Sequence, residues 1–147
     1  TTEIYTLSLH DALPIFNYWR SILWAILSLL ACILPSNRLP QMNKVLIPHF
    51  DKVVHFTLFF VLTLMLLYES RLRRVNAGLS RETITWIVVI TFIYGSFLEG
   101  MQHFFIVSRS GELADLIANF LGVAAALLVY GFGIKLLASI KRDRVRD

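Results

Sequence analysis

The sequence is poor in charged residues and has almost no cysteine. Only 16% of its 147 residues are Asp, Glu, Lys or Arg, whereas ordinary soluble domains have about a quarter. Its one cysteine, Cys32, cannot form an intrachain disulfide, and no Cys/His spacing typical of a zinc site surrounds it. These shortages argue against a soluble domain and against a disulfide-rich scaffold. We interpret Cys32 as a packed core thiol.

The common motifs for nucleophilic catalysis and nucleotide binding are also missing. The chain has neither a serine elbow of the Gly-x-Ser-x-Gly type nor a Gly-rich phosphate loop. It has no metal-binding motif of known spacing, so no metal and no other cofactor is expected. No Gly- or Pro-rich run and no repeat of fixed period divides it. The length therefore indicates one domain.

Apolar residues are abundant and fall in four blocks. Hydrophobic residues make up 56% of the chain, and the mean hydropathy is +0.66. The blocks cover about residues 16–34, 53–68, 83–99 and 113–137, close to the roughly 17–25 residues that a membrane-spanning helix needs. The sequence thus predicts an all-α, polytopic membrane protein with four transmembrane helices in a bundle.

The first fifteen residues, "TTEIYTLSLHDALPI", resemble a translated sequencing-adaptor read. They have no basic segment before an apolar core, so they do not form a signal peptide. We expect residues 1–15 to be an artefactual leader that replaced the native start. The transmembrane domain is then expected over residues 16–137, and a basic cytoplasmic tail over residues 138–147.

Lysine and arginine predict the orientation in the membrane. One predicted side holds ten basic residues and the other holds four, which are Arg38, Lys44, Lys52 and Arg109. Because the richer side is usually cytoplasmic, we expect both termini inside and the first and third loops outside. The basic tail is explained by topology and by attraction to anionic lipids. Membrane lipids are therefore expected partners, and nucleic acid is not.

Under this topology, polar residues from three helices and a loop meet at the outer face. The second span opens and the third span closes there, the third loop lies there, and the fourth span opens there. The candidate site residues are Asp51, Lys52, His55, Glu99, Gln102, Arg109, Asp115 and Asn119. Convergence of residues that are far apart in sequence at one level of the membrane indicates a functional polar site.

The start of the fourth span carries two patterns of helical spacing. Asp115, Asn119 and Gly122 recur at i, i+4 and i+7, so they share one face. Ala118, Gly122 and Ala126 form a row of small residues along an adjacent edge. Such rows allow neighbouring helix backbones to approach closely. We expect the small row to pack against another helix.

Most of the polar residues also have an ordinary structural explanation. Asp51 and Asp115 lie at predicted helix N-termini, where a carboxylate caps free N–H groups and meets the positive dipole end. His55 lies four residues after Asp51 and could bond to it within one helix. Arg109 could be an exposed loop residue, and Lys52 could extend to the membrane surface.

Glu99 is the hardest of these residues to explain structurally. It lies at the predicted C-terminal end of the third span, where the helix dipole disfavours negative charge. An ionised carboxylate at this depth costs on the order of a few kcal/mol unless it is paired or protonated. The expected partners are Arg109, Lys52 and His55. Glu99 is therefore the strongest single functional candidate.

The same polar segments resemble the VanZ-like family. The matching segments are "DKVVHF", "EGMQHF" and "SRSGELADLIANFLG". One departure is visible, since relatives often carry Pro-Gly where this chain has Val107-Ser108 before the arginine. The resemblance implies a multi-pass protein of the bacterial plasma membrane. The family is named for a component of glycopeptide resistance clusters that lowers sensitivity to teicoplanin.

Two functional hypotheses follow from these residues. In the first, Lys52 and Arg109 help to bind or protect an anionic envelope ligand, either a lipid-linked cell-wall intermediate or a lipoglycopeptide. In the second, the protein is an enzyme acting on a lipid-linked phosphate substrate, with Glu99, Asp115 and His55 as acid–base groups. A variant of the enzyme hypothesis adds a divalent metal held by these three residues and Asp51.

A purely structural role and a transport role also remain open. The polar set could lock the bundle, although interhelical hydrogen bonds in membranes average only about 0.6 kcal/mol. Transport has little support, because four short spans without a broken helix lack the usual features of a transporter. Four helices make a thin bundle, which is compatible with a homo-oligomer, but no specific motif indicates one.

Overall fold

A computed structural model describes residues 17–33, 50–74, 78–105 and 113–144. These residues form four α-helices: α1 (Trp19–Ile33), α2 (Phe50–Leu72), α3 (Arg81–Phe105) and α4 (Leu113–Asp143). Each corresponds to one of the predicted apolar blocks, so the all-helical prediction is confirmed for the described part of the chain. The predicted leader over residues 1–15 lies outside the described residues.

Three of the four helices are long and apolar enough to cross a membrane. They are Phe50–Leu72, Arg81–His103 and Leu113–Ile140. In contrast, α1 has 15 residues and is about 22 Å long at 1.5 Å per residue, less than the roughly 30 Å of a hydrocarbon core. The full first span and the direction of the termini stay predictions.

The outer surface of the bundle is strongly apolar. Leu128 is 75% exposed, Phe132 70% and Ile93 62%. A helix that is apolar on all sides is typical of a membrane span, because its outer face contacts lipid and not water. The exposed leucine, isoleucine and phenylalanine side chains therefore support a lipid-embedded bundle.

Three helices extend beyond the limits predicted from the sequence. α2 continues to Leu72, and α3 continues to Phe105. α4 continues to Asp143, so residues 138–143 of the predicted tail are helical. Ser80 caps the start of α3, where its Oγ accepts the Thr83 N–H at 3.2 Å and satisfies one of the helix's free donors. Apolar content marks only the part of a helix that lies at the level of the lipid, so it underestimates the length of helices with polar ends.

α2 is the central helix and contacts each of the other three, most extensively α4. The predicted small row lies in this contact: Ala118 is 8% exposed, Ala126 is 0% exposed, and Gly122 is buried. A Cβ on Gly122 would collide with the backbone carbonyl oxygen of Phe56 and lie 3.0 Å from the Phe60 nitrogen. Glycine is thus required for the backbones of α2 and α4 to come this close.

α1 docks on the bundle through hydrogen bonds as well as apolar contacts. Trp24 Nε1–H donates to the Leu58 carbonyl oxygen of α2 at 3.0 Å. From α3, the Tyr94 hydroxyl donates to the Ala25 carbonyl oxygen at 2.5 Å. Ser28 lies 3.1 Å from the same hydroxyl. Together with the Ser21–Glu69 hydrogen bond, the Gln102–Cys32 hydrogen bond and the Lys52–Asp115 ion pair, these contacts show that α1 runs parallel to α3 and antiparallel to α2 and α4.

Candidate functional site

The mouth of the candidate site is an ion-paired lysine shared by α2 and α4. Lys52 Nζ lies 3.2 Å from Asp51 Oδ2 and 3.3 Å from Asp115 Oδ1. The two aspartates occupy the first turns of α2 and α4, where the helix dipole favours a carboxylate. The Lys52 side chain is 23% exposed and the Asp51 side chain 32%, whereas the Asp115 side chain is 10% exposed. The ammonium and the Asp51 carboxylate are therefore the accessible part of the site.

The floor of the site is a buried histidine in contact with two other helices. His55 is 3% exposed, and its Nδ1 lies 3.1 Å from Asn119 Oδ1 on α4. The same nitrogen lies 3.6 Å from Glu99 Oε1 on α3. The structure thus places Asn119 and Glu99, from two other helices, beside His55. The contact between His55 Nδ1 and Glu99 Oε1 becomes an ion pair when the imidazole is protonated.

Glu99 lies inside α3 and not at its end. The helix continues six residues beyond it to Phe105, which corrects the predicted limit of the third span at Glu99. Its side chain is 12% exposed. Of the three partners expected from the sequence, the structure places His55 beside it, and Arg109 lies outside the described residues. The Glu99 carboxylate therefore forms the α3 wall of the site.

Gln102 faces a different helix from the rest of the predicted set. It is 2% exposed, and its Nε2–H donates to the Cys32 carbonyl oxygen at 3.1 Å. This carbonyl belongs to the last turn of α1, where backbone acceptors have no intrahelical donor. Gln102 thus lies at the same end of the bundle as the site but joins α3 to α1. Its position is explained by this contact alone.

Asn119 carries a donor that is not satisfied by the described residues. The side chain is 3% exposed, and its Nδ2 has no hydrogen-bond partner there. Nδ2 lies 3.4 Å from the position that a Cβ on Gly95 would take. Gly95 is four residues before Glu99, so the amide faces α3 one turn below the Glu99 carboxylate. Buried amide donors are usually paired with an acceptor oxygen, so this one calls for an explanation.

The described part of the site combines acidic groups with a metal-compatible ligand set. Asp51, Glu99 and Asp115 contribute three carboxylates, and Lys52 contributes an ammonium group. One ligand atom each from His55, Glu99 and Asp115 lies within 4.8 Å of the other two. Oxygen and imidazole ligands suit several divalent transition metals. The sequence placed these three residues at one level, but their mutual distances come from the packing of α2, α3 and α4.

Sequence reasoning missed a second buried carboxylate, at the opposite end of the bundle. Glu69 is 2% exposed and accepts hydrogen bonds from the Arg20 N–H at 3.2 Å, the Ser21 N–H at 3.4 Å and the Ser21 hydroxyl at 2.6 Å. It thus caps the N-terminus of α1 from a neighbouring helix. The prediction that the second span ends at Tyr68 left Glu69 in a loop. Its spacing of fourteen residues from His55, about four helical turns, was the available signal.

Two comparisons relate the chain to known proteins. It is 31% identical over 83 residues to an uncharacterized protein of Schizosaccharomyces pombe, and the match covers 56% of this chain and 48% of that protein. The chain therefore spans about half the length of the curated relative it matches. No solved structure matches significantly. A family model described as VanZ/LLP1 matches residues 4–135. Together with the three spanning-length helices, this match identifies the chain as a multi-pass membrane protein of the VanZ/LLP1 family.

Proposed function

We propose that this protein binds the anionic head group of a lipid-linked envelope ligand at the membrane surface. The ligand class comprises lipid-linked cell-wall intermediates and lipoglycopeptides, and binding them would lower sensitivity to teicoplanin in a bacterial plasma membrane. The observation that carries the proposal is the position of Lys52. Its ammonium is held by carboxylates of two helices at the partly exposed mouth of an otherwise buried site.

The gradient of exposure supports binding from the membrane surface. Lys52 and Asp51 are 23% and 32% exposed, and below them His55 and Asn119 are each 3% exposed. A head group approaching this end of the bundle meets the Lys52 ammonium together with the Asp51 carboxylate, and it would compete with that carboxylate for the ammonium. Hydrogen bonds to a charged group contribute roughly 1.5–3 kcal/mol each, enough to select a phosphate over a neutral head group. Arg109, in the segment of the sequence between α3 and α4, is proposed as a second cation for the ligand.

The apolar surface beside the mouth suits the hydrocarbon part of such a ligand. Ile117, Phe120 and Leu121 lie within two turns of Asp115 on α4 and are each more than half exposed. A prenyl or acyl chain attached to the bound head group would lie along these side chains in the bilayer. A similar chain occurs in a yeast. This favours a lipid-linked phosphate as the ligand, because such a ligand is not restricted to bacterial cell walls.

Binding of a polyprenyl phosphate to the purified full chain in lipid nanodiscs tests this function. We expect the native protein to prefer the phosphate over the corresponding neutral polyprenol. Lys52→Ala should lower the preference at least tenfold. Lys135→Ala is the matched control, since this lysine is exposed on the distal part of α4. Equal binding of phosphate and alcohol, or an equal loss in the control, would contradict the proposal.

The His55 contacts favour one second candidate, an enzyme that hydrolyses a lipid-linked phosphate. Nδ1 of the buried imidazole lies between Asn119 Oδ1 and Glu99 Oε1, an arrangement in which a carboxylate and an amide orient a proton carrier. In this reaction water adds at phosphorus, and the bond from phosphorus to the leaving oxygen breaks. Release of inorganic phosphate from polyprenyl diphosphate, lost in His55→Asn, would favour catalysis. Binding without release would leave the binding function alone.

A further inference from the structure

We propose that His55, Glu99 and Asp115 form a binding site for one divalent transition-metal ion such as Mn²⁺ or Zn²⁺. The metal site stands on the geometry of these three side chains. Its role as the positive charge that receives a ligand phosphate rests on the proposed function. The site was expected from the sequence to hold no metal, because its ligands do not share a motif and are separated by 44 and 16 residues.

The three side chains meet the geometric requirements of a metal site. They come from three different helices and converge from three directions. Their ligand atoms lie within 4.8 Å of one another, so each has to move by less than about 1 Å to reach a common ion at roughly 2.0–2.2 Å. The contribution of one imidazole and two carboxylates excludes a purely hard oxygen site and favours Mn²⁺, Fe²⁺ or Zn²⁺.

Burial makes a metal ion more favourable here than in a surface cluster. His55 is 3% exposed and Asp115 7%, and the Glu99 side chain is 12% exposed. An ionised carboxylate near hydrocarbon is costly unless a cation pairs with it. A divalent ion bound by Glu99 and Asp115 would pair with both carboxylates at once.

Asn119 supplies an independent indication of a bound ligand. Its Oδ1 lies 3.1 Å from His55 Nδ1. An Nδ1–H donated to this oxygen would fix the ring and leave Nε2 as the metal ligand, as second partners do for metal-bound histidines. Its Nδ2 is buried, has no partner within the described residues, and faces α3 below Glu99. A water or phosphate oxygen bound to the metal would be the acceptor that this donor requires.

Lys52 sharpens the inference because its ammonium competes with the metal. Nζ lies 3.3 Å from Asp115 Oδ1, so a divalent ion at this carboxylate is repelled by the nearby positive charge. Neutralising Lys52 should therefore strengthen metal binding. If Lys52 only stabilises the fold through its ion pairs, neutralising it should make the protein less stable and should not increase its affinity for a metal ion.

Manganese binding to the full chain, purified without a histidine tag in phospholipid-free detergent, tests the site. Electron paramagnetic resonance of free Mn²⁺ gives the stoichiometry and affinity without any lipid ligand. We expect one Mn²⁺ per native chain, at least tenfold weaker binding in Glu99→Gln and Asp115→Asn, and at least fivefold tighter binding in Lys52→Met. Glu69→Gln is the matched control, because it changes a buried carboxylate at the other end of the bundle.

The outcomes separate the metal site from the proposed function. No Mn²⁺ bound to the native chain, or equal binding in native, Glu99→Gln and Asp115→Asn proteins, overturns the metal site. The Lys52→Met gain cannot come from misfolding, so it tests the site even where a carboxylate variant is unstable. If a chelator leaves polyprenyl phosphate binding unchanged, the metal is not the positive charge that receives the phosphate, but the proposed binding function stands. Metal binding without phosphate preference keeps the site and removes the function.

Discussion

Gly122 of α4 and Phe56 of α2 meet backbone to backbone. A Cβ added to Gly122 would collide with the Phe56 carbonyl oxygen, so only glycine permits this approach. The contact lies one turn below Asn119, at the level where α2 and α4 begin to form the polar site. The close approach of the two backbones thus brings Lys52 within reach of Asp115 and His55 within reach of Asn119.

Gly122→Ala should destabilise the bundle by roughly 1–3 kcal/mol, the usual cost of overpacking a well-filled contact. Gly133→Ala on the same helix is the control, because its added methyl group meets nothing within 4 Å and alanine is the better helix former. Reversible unfolding in detergent measures both variants. Equal stability of the Gly122 variant and the native protein would contradict the close-approach interpretation.

Glu69→Ala should loosen α1 while preserving the site at the other end. The substitution removes the acceptor for the Arg20 and Ser21 N–H groups and for the Ser21 hydroxyl. Buried donors left without an acceptor cost about 1–3 kcal/mol each. Hydrogen exchange should therefore accelerate in the first turn of α1. Glu82→Ala, at an exposed residue in the first turn of α3, serves as the control and should leave α1 exchange unchanged.

His55 and Asn119 should be energetically coupled, because they share the 3.1 Å contact between α2 and α4. A double-mutant cycle with His55→Ala and Asn119→Ala should give a coupling of about 0.5–1.7 kcal/mol in unfolding free energy, the range for hydrogen bonds between membrane helices. Asn119→Ala combined with Thr85→Ala is the reference cycle, since exposed Thr85 bonds within its own helix. Additive effects in the first cycle would show that the contact contributes nothing.

Cysteine labelling tests the predicted orientation. A cysteine at exposed Leu113 should react with a membrane-impermeant reagent added outside the cell, and one at exposed Arg74 should not. Native Cys32 is buried at 3% exposure, so the unmodified chain gives the background. Labelling only at position 74 would put the polar site on the cytoplasmic face and would exclude an extracellular ligand.

Drug sensitivity tests the biological part of the proposal. Expression in a sensitive Gram-positive host should raise the inhibitory concentration of teicoplanin and leave that of vancomycin unchanged. Lys52→Ala and Glu99→Gln should lose this shift, whereas Glu82→Gln should keep it, with membrane levels matched. No shift with the native chain would separate this member from the resistance role for which the family is named.

Several features of the fold and site were predictable from local sequence. The apolar blocks indicate four helices because hydropathy reports directly on the length of chain that lipid can accept. The order Asp51–His55, Glu99, Asp115–Asn119 indicates convergence because alternating helices return to the same side of the membrane. The family resemblance carried by these segments is confirmed by the match over residues 4–135.

The sequence by itself determined the helical class, the membrane character and the end of the bundle at which polar residues collect. Only the tertiary structure decided that His55 contacts Asn119 and Glu99, that Gln102 bonds α1, and that Glu69 is buried at the far end. Periodicity states which residues share a face of one helix. The rotation and depth of neighbouring helices depend on side-chain packing between them, and in this chain the contact of Gly122 with α2 is a main determinant.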